Sequence, residues 1–357
     1  MANFGFITAL RFPLALLVVF IHAYNAPWQT VEGETLQRFA TFFSHTVPAF
    51  SVPLFFAISG FLFFRRTPSL TPSLYGDKLR RRVHTLLIPY LVWNLIAFAL
   101  YALKDMAAGS PLSLDISPDI FWGCKVRGST GENLFGLPYA AATAPIQLQL
   151  WFVRDLLVLT LLAPLFSFLI RRMNWGALLL LGGIYYTHLW GNPGGLSFEG
   201  FWYFGLGAWC GIKHIDVAEL ARRLFPLSLT LTLLTLLLSP SLIGSSLPPT
   251  LRLLVAEVYN YAAILTAIGL ATRHTACRQT PPLLADSSFF LYASHTIVLL
   301  PLTTAAVSFG STQGEAIQLL LFLTCPIVAV AICLTAFAFL TRYLPKLSAP
   351  LCGKPIR

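Results

Sequence analysis

Long apolar runs recur along the whole chain. We count ten of them, at residues 4–24, 46–64, 86–103, 148–170, 175–190, 198–212, 225–243, 251–272, 287–309 and 316–343. About 18 apolar residues suffice for a helix to cross a bilayer, and hydrocarbon admits only helices or closed barrels. The charged fraction is 11%, against roughly 25% in soluble domains, and the mean hydropathy is +0.72. The sequence therefore predicts an all-α protein, a polytopic membrane bundle of about ten transmembrane helices.

The basic residues between these runs are distributed unevenly. With the N-terminus in the cytoplasm, 17 of the 24 Lys and Arg residues fall on the inner side and 6 on the outer side, while Arg11 lies within the first run. This excess follows the positive-inside rule. It predicts an even number of spans and two cytoplasmic termini. We expect the membrane to be the bacterial inner membrane. The net charge of +10 is then a property of cytoplasmic loops, and we expect no nucleic acid partner.

Few features point to anything other than a membrane bundle. The six cysteines form no CxxC pair and no cluster with zinc-site spacing, so we expect neither a disulfide framework nor a metal. The first residues lack the basic region and cleavage site of a signal peptide, which favours a retained first span. We predict a single domain over residues 1–357, with a long outer loop at about 104–147.

The first run, "LRFPLALLVVFIHAYN", contains two ionisable side chains, Arg11 and His22. Eleven residues at about 100° each place them on one helix face, about 16 Å apart along the axis. An ionisable residue inside a membrane is by default a candidate for function, and histidine is the usual general base near neutral pH. The alternative is that Arg11 snorkels to the interface and His22 is an ordinary interfacial residue.

Other polar residues in or near the spans are candidates for binding an acceptor substrate. They are Trp151, Arg154, Asp155, Glu257, Tyr292 and His295. Tyr292 and His295 are three residues apart and share a helix face. Plainer alternatives remain for them, namely an interfacial ion pair for Arg154 and Asp155 and a buried, hydrogen-bonded His295.

Glycines in two of the runs predict close helix packing. Gly207 and Gly211 form a small-xxx-small face in the sixth run, and Gly60 follows Ser59 in the second. Ser59 is also a candidate for a hydrogen bond to a bound substrate. Two short runs on either side of residues 191–195 suggest a tight helical hairpin there.

Five stretches, in order, resemble acyltransferase family 3 of integral membrane proteins. These are the first run with its Arg/His pair, "VPLFFAISGFLFFRR", "KLRRRVHTLLIPYLVWN", "LWFVRDLLVLTLLAPLF" and "SFFLYASHTIVL". The resemblance spans residues 4 to about 300. The chain departs from the family at Leu86 and Thr85, where many members have a second arginine before the proline of the third helix. This departure leaves open which of the three preceding arginines takes the role of that second arginine.

The resemblance implies a membrane O-acyltransferase. The donor would be acyl-coenzyme A, with no permanently bound cofactor, and the acceptor a hydroxyl of a surface carbohydrate or lipid-linked sugar. His22 and Arg11 would be catalytic, with Arg11 also holding the donor. Coenzyme A is polyanionic, so Ser59 and the inner arginines would bind it, although positive-inside anchoring explains these arginines equally well. The inner arginines are Arg65, Arg66, Arg80, Arg81 and Arg82.

Two questions stay open at the level of the sequence. His22 could deprotonate the acceptor, or it could carry the acyl group covalently. We expect an acetyl group, but the acyl chain is not readable from the residues. The alternative function is a transporter or a lipid- or glycan-moving protein, in which buried ionisable groups form a path. The absence of an evident internal repeat argues against that alternative.

Overall fold

The computed structural model describes residues 4–67, 69–111, 117–127, 130–132, 138–139, 141–188, 193–242, 249–277 and 279–353. Most of these residues are helical and very few lie in strands, which confirms the all-α class. The α-helices in chain order are α1 (Gly5–Ile21), α2 (Ala26–Gln29), α3 (Glu34–Thr41), α4 (Ser51–Arg65), α5 (Pro72–Arg82), α6 (Ile88–Ala107), α7 (Trp151–Leu161), α8 (Ala163–Met173), α9 (Trp175–Thr187), α10 (Phe198–Ile212), α11 (Val217–Arg223), α12 (Phe225–Leu242), α13 (Pro249–Cys277), α14 (Pro282–Gly310), α15 (Glu315–Tyr343) and α16 (Pro345–Leu351).

Five helical segments within these ranges are long and apolar enough to cross a bilayer, and seven if each of two bent helix pairs is one span. The chain is thus an integral membrane protein. The predicted number of ten spans is not confirmed, because α1 and α9 are apolar but have only 17 and 13 residues. The five long segments are Glu34–Arg65, Pro72–Ala107, Leu251–Thr275, Pro282–Gly310 and Glu315–Tyr343.

The chain folds into two compact units, each built from two stretches of sequence. The first unit contains Met1–Leu54 and Asp216–Tyr343, and the second contains Phe55–Ile215 and Leu344–Arg357. In the first unit, α1 packs against α13 and α14, α12 lies along α13, and α14 lies along α15. This arrangement surrounds α1 with helices, so that Leu14, Ala15, Val18 and Val19 are buried.

Two of the long segments, Glu34–Arg65 and Pro72–Ala107, begin earlier than the runs predicted at 46–64 and 86–103, and in both a π-helical turn precedes a proline. The π turn Phe42–Thr46 lies before Pro48, and Val83–Leu87 lies before Pro89. Proline has no N–H to donate to the carbonyl four residues back, so a helix passes it most easily near its first turn or beside a shifted hydrogen-bond register. The basic residues 78–82 therefore lie on a helix, α5, and not in the predicted loop.

Two further spans are bent where the sequence suggested straight helices. The predicted span at 148–170 is divided into α7 and α8, which meet at Leu162 with a bend of 59°. A bend of 70° separates α11 from α12. Pro164 and Pro226 each lie in the first turn after the bend, where the missing N–H is tolerated.

The long outer segment folds as small, irregular structure in its described parts. Strand β1 (Lys125–Arg127) pairs with the last strand, and β2 (Gly131–Glu132) pairs with β3 (Pro138–Tyr139); the last strand is β4 (Ala142–Ala144). Ile120 and Ile146 pack against Ala97 of α6, and the Tyr90 hydroxyl donates to the Phe121 carbonyl. The segment starts later than predicted, since α6 continues to Ala107, and its residues 112–116, 128–129, 133–137 and 140 lie outside the described parts.

Helices α4 and α10 of the second unit approach each other through glycines, as predicted. A Cβ atom at Gly60 would lie 2.1 Å from the Phe204 carbonyl oxygen, and one at Gly207 would lie 1.9 Å from that of Ala57. At Gly211 the corresponding distance, to the Phe61 oxygen, is 2.8 Å. Only glycine is compatible with backbones this close.

Candidate active site

Helix α1 presents Arg11 and His22 as the spacing predicted. The helix is continuous from Gly5 to Ile21, and His22 is its C-terminal cap residue, with its backbone N–H directed to Val18 and Val19. Arg11 is exposed and His22 is half-buried, while Ala15 and Val18 between them are fully buried. One helix face therefore has an exposed guanidinium at one end and a half-buried imidazole at the other.

His295 of α14 lies beside His22, with 5.2 Å between the two ring centroids. Its side chain is completely buried, and Nδ1 lies 2.8 Å from the Tyr292 carbonyl oxygen and 3.2 Å from that of Leu291. A carbonyl oxygen only accepts, so Nδ1 carries the proton of the neutral ring. Nε2 then has a lone pair, and no described group bonds to it.

Asn25, three residues after His22, was not identified from the sequence. Its Nδ2 donates to the Thr303 hydroxyl over 2.9 Å, and that hydroxyl donates to the Leu300 carbonyl. The orientation of the amide is therefore determined, and the buried Oδ1 is left without a partner among the described residues. The available signal was a polar residue directly after the Arg/His run, but nothing in the sequence showed that its oxygen would be buried.

The predicted acceptor residues are divided between the two units. Tyr292 is buried near His295, with 6.5 Å between ring centroids, and Glu257 is buried on α13, a helix that packs against α1. Both belong to the first unit with His22. The remaining three, Trp151, Arg154 and Asp155, are buried in the second unit.

Arg154 and Asp155 connect helix α7 to two loops. The five guanidinium N–H groups of Arg154 are all directed to acceptors: two to Asp155, one to the Trp122 carbonyl, and two to the carbonyl and hydroxyl of Thr143. Asp155 in turn accepts from the backbone N–H groups of Gly195 and Ser197 at 3.0 and 3.1 Å. The pair thus holds both loops in position and leaves no Arg154 donor for a ligand. The predicted hairpin turn is described only from Pro193, and the part at 191–192 lies outside the described residues.

Apart from Arg11, the basic residues predicted to bind the donor lie in the second unit, at the end of α4 and along α5. Arg65 stacks on Phe61 at 5.8 Å, and its buried Nη1 has no acceptor among the described residues. The Lys78 ammonium donates to the Phe63 carbonyl over 2.6 Å, which brings α5 to the end of α4. Exposed or half-buried side chains complete the group: Ser59, Arg66, Arg80, Arg81 and Arg82. The orphaned Nη1 of Arg65 fits an anionic ligand.

The long apolar helices place the chain among integral membrane proteins, and the family comparison gives its class. The chain belongs to acyltransferase family 3, because the model of that acyltransferase domain matches residues 4–339. The resemblance noted in the sequence is thereby confirmed, and so is the assignment of the protein as an enzyme of the acyltransferase class rather than a transporter.

The chain is similar to the succinoglycan biosynthesis protein ExoH of Rhizobium meliloti. The two sequences are 25% identical over 357 residues, an alignment that covers 97% of this chain and 91% of ExoH. No solved structure matches the chain.

Proposed function

We propose that this enzyme transfers an acyl group from acyl-coenzyme A to a hydroxyl of a cell-surface carbohydrate or lipid-linked sugar. The observation that carries the proposal is the location of His22 at the end of α1, 5.2 Å from the buried ring of His295, in a chain of this acyltransferase family. The relative's name concerns succinoglycan biosynthesis, which supports a glycan as acceptor. We expect an acetyl group, in the bacterial inner membrane, with both termini in the cytoplasm.

His22 performs the proton transfer in the proposed reaction. One ring nitrogen takes the proton of the acceptor hydroxyl while that oxygen attacks the thioester carbonyl carbon. The carbon–sulfur bond then breaks, and the coenzyme A thiolate takes the proton from the imidazolium. In the alternative route the same nitrogen attacks the thioester carbon first, and the carbon–sulfur bond breaks to release the coenzyme A thiolate. The acceptor hydroxyl then attacks the acyl-histidine, the bond from nitrogen to the acyl carbon breaks, and the hydroxyl proton passes to the thiolate. Both routes require a His22 nitrogen with a lone pair.

The donor contacts are proposed for each unit by itself. In the first unit, the exposed guanidinium of Arg11 supplies charge-assisted hydrogen bonds to the donor. In the second unit, the arginines of α4 and α5 bind its phosphates together with Ser59, and the orphaned Nη1 of Arg65 is the contact that best supports this. The donor binds as a substrate, so no permanently bound cofactor is needed.

The acceptor contacts are proposed chiefly for the first unit. The Oδ1 atom of Asn25 is a buried acceptor that lacks a donor, and a sugar hydroxyl supplies one. His295 and Tyr292 lie at the His22 end of α1, and Glu257 is buried on α13, which packs against α1. Trp151, Arg154 and Asp155 remain predicted acceptor residues, and the contacts of Arg154 and Asp155 indicate that these two act by holding loops.

Radiolabelled acyl-coenzyme A given to the purified protein tests the donor. Acetyl- and succinyl-coenzyme A are compared, with extracted surface glycan from the source cells as acceptor, and the label in the glycan is counted. Transfer from one donor supports the proposal and identifies the acyl chain. The absence of label from both, together with unchanged glycan acylation by mass spectrometry in cells that lack the gene, would overturn it.

A further inference from the structure

The ring of His295 is held in one tautomer by its own helix. Nδ1 donates to the carbonyl oxygens of Leu291 and Tyr292, which lie one turn earlier on α14. The opposite nitrogen, Nε2, is therefore a hydrogen-bond acceptor, and it is buried without a partner among the described residues. Such an acceptor costs about 1–3 kcal/mol when it is left unsatisfied, so its burial calls for a donor.

The ring of His22 is within reach of that nitrogen. The centroids are 5.2 Å apart and the planes are inclined by 38°. A ring nitrogen lies about 1.2 Å from the centroid of a five-membered ring with bonds near 1.33 Å. Two nitrogens that face each other across this separation are therefore about 2.8 Å apart, which is an ordinary hydrogen-bond length. The His22 ring is half-buried, and its second side-chain torsion has broad minima, so the ring can adopt more than one orientation.

We propose that His295 is a positioning residue for His22. One ring N–H of His22 donates to Nε2 of His295, and this bond selects the tautomer of His22 whose other nitrogen has a lone pair. His295 takes no proton in the reaction and touches no substrate. The inference rests on the proposed function for its catalytic meaning, but the hydrogen bond itself is a property of the protein without substrate.

The proposed bond has a defined chemical consequence. A neutral imidazole free in water exchanges between two tautomers, and only one of them presents its lone pair in a given direction. A neutral acceptor at this place orients the ring as the carboxylate does in a serine protease triad, but without a buried charge. Either route proposed for His22, as a base or as a nucleophile, gains from a lone pair that is already oriented.

Two variants of His295 distinguish the role of its Nε2 atom from that of its Nδ1 atom. In His295→Asn the amide reaches only the level of Nδ1, so it can bond the Leu291 and Tyr292 carbonyls but offers nothing to His22. In His295→Gln the longer side chain brings an amide oxygen to the level of Nε2 and restores the acceptor. The matched pair therefore differs in whether the partner of His22 is present.

The test is nitrogen NMR on protein labelled with ¹⁵N-histidine, in lipid nanodiscs without substrate. Spectra are recorded at about pH 8, above the ordinary histidine pKa of about 6.5. A His22→Gln sample assigns the His22 signals by their absence. We expect a single hydrogen-bonded tautomer of His22 in the wild type and in His295→Gln, and a mixture of tautomers in His295→Asn. A mixture in the wild type would overturn the proposal by itself, even if neither variant folds, and so would identical His22 signals in all three proteins.

Turnover provides a second readout. With acyl-coenzyme A and the glycan extract, the kcat of His295→Asn should be about 10- to 100-fold lower than that of the wild type, with little change in KM for the donor. This loss in kcat is smaller than the loss expected when a general base is removed. His295→Gln should recover most of that loss. Equal kcat in the two variants would contradict the positioning role. If no transfer occurs even in the wild type, the proposed function fails while the NMR result still decides the hydrogen bond.

Discussion

The polar residues at the end of α1 are held in defined orientations although their hydrogen bonds are incomplete. The amide of Asn25 is oriented by Thr303, and the ring of His295 by two carbonyls of its own helix. Each leaves one buried acceptor without a donor. A ligand hydroxyl can donate to the Asn25 oxygen, and the proposed bond from His22 satisfies the His295 nitrogen, so the site needs little reorganisation on binding, as expected of a preorganised site.

His22 is predicted to be essential. His22→Ala should lower acyl transfer at least about 10²- to 10⁴-fold, because it removes the proton acceptor or nucleophile. Amounts of protein in the membrane should not change, since His22 caps α1 through its backbone. His274→Ala, at an exposed histidine of the same unit, is the matched control and should retain full activity. Near-normal turnover in His22→Ala would remove His22 from the mechanism.

Arg11 is predicted to bind the donor. Arg11→Ala should weaken coenzyme A binding about ten- to a hundredfold, the equivalent of one charge-assisted hydrogen bond of about 1.5–3 kcal/mol. Arg11→Lys should recover little, because an ammonium lacks the planar fork of a guanidinium. Calorimetric titration of both variants measures this. Unchanged affinity in both would make Arg11 an anchoring residue and leave donor binding to the arginines of α4 and α5.

At the scale of secondary-structure elements, two kinds of contact hold the second unit together. One is the backbone approach of α4 and α10 at Gly60 and Gly207, and the other is the Arg154–Asp155 pair with its loop contacts. The first depends on the absence of a side chain, and the second on a buried charge pair with every guanidinium donor satisfied. Both are intolerant of substitution, for opposite reasons.

Removal of Asp155 is predicted to destabilise the second unit. Asp155→Ala leaves the Arg154 guanidinium buried without its counter-charge and frees the backbone N–H groups of Gly195 and Ser197. The free energy of unfolding should fall by about 3–5 kcal/mol. Thermal melting in detergent measures the change. Glu219→Ala removes an exposed carboxylate that pairs with two arginines of α11, and it should leave the melting temperature nearly unchanged. Equal effects of the two substitutions would refute the structural role of the buried pair.

A methyl group at Gly207 is predicted to separate α4 from α10. Gly207→Ala places a Cβ 1.9 Å from the Ala57 carbonyl oxygen, so the helices must move apart, at a cost of about 1–3 kcal/mol or more. Gly183→Ala on α9 is the control, because nothing lies within 4 Å of its Cβ position. The control should melt at or above the wild-type temperature, since alanine favours helix formation. A Gly207→Ala protein that melts with the control would contradict the close packing.

The sequence correctly predicted elements that are recognisable from the pattern of residues within a single run. Gly207 and Gly211 showed their packing face through their spacing, and the sixth run matched α10 in both boundaries. The third run was predicted to begin at residue 86, whereas its helical segment begins at Pro72, because the basic stretch before residue 86 was interpreted as a loop. The loop partners of Arg154 and Asp155, among them Thr143 and Gly195, were beyond prediction, since irregular segments have no period that reveals their contacts.

For the site, the sequence supplied the residues but not their hydrogen-bond states. The Arg11–His22 spacing and the Tyr292–His295 pair were visible as patterns. The proximity of His22 to His295 depends on how α1 packs against α14, more than 270 residues later in the chain, and no feature of either run specifies that contact. Asn25 was missed for the same reason, because its amide is oriented by a contact with Thr303, 278 residues later in the chain.

At the scale of the whole molecule, the orientation in the membrane is predicted from charge. Cys124 in the outer segment is exposed, so an impermeant thiol reagent should label it from outside intact cells. A cysteine placed at Ser69 in a Cys124→Ser background should be shielded. Burial raises the pKa of the Cys124 thiol, with Lys125 opposing, so the thiolate fraction and the labelling rate should increase as the pH rises above neutrality. Labelling of the Ser69→Cys protein from outside would invert the orientation.

The second unit includes residues from the far end of the sequence. Helix α16 packs on α6, the Trp93 indole donates to the Leu351 carbonyl, and Gly353 lies against the Thr85 carbonyl. The ribosome therefore synthesises α6 to α15 before it synthesises α16, the helix that packs on α6. Assembly of this unit cannot finish while the chain is still being elongated before residue 345. Nascent protein arrested before that point should expose the Trp93 face of α6 to the insertion machinery.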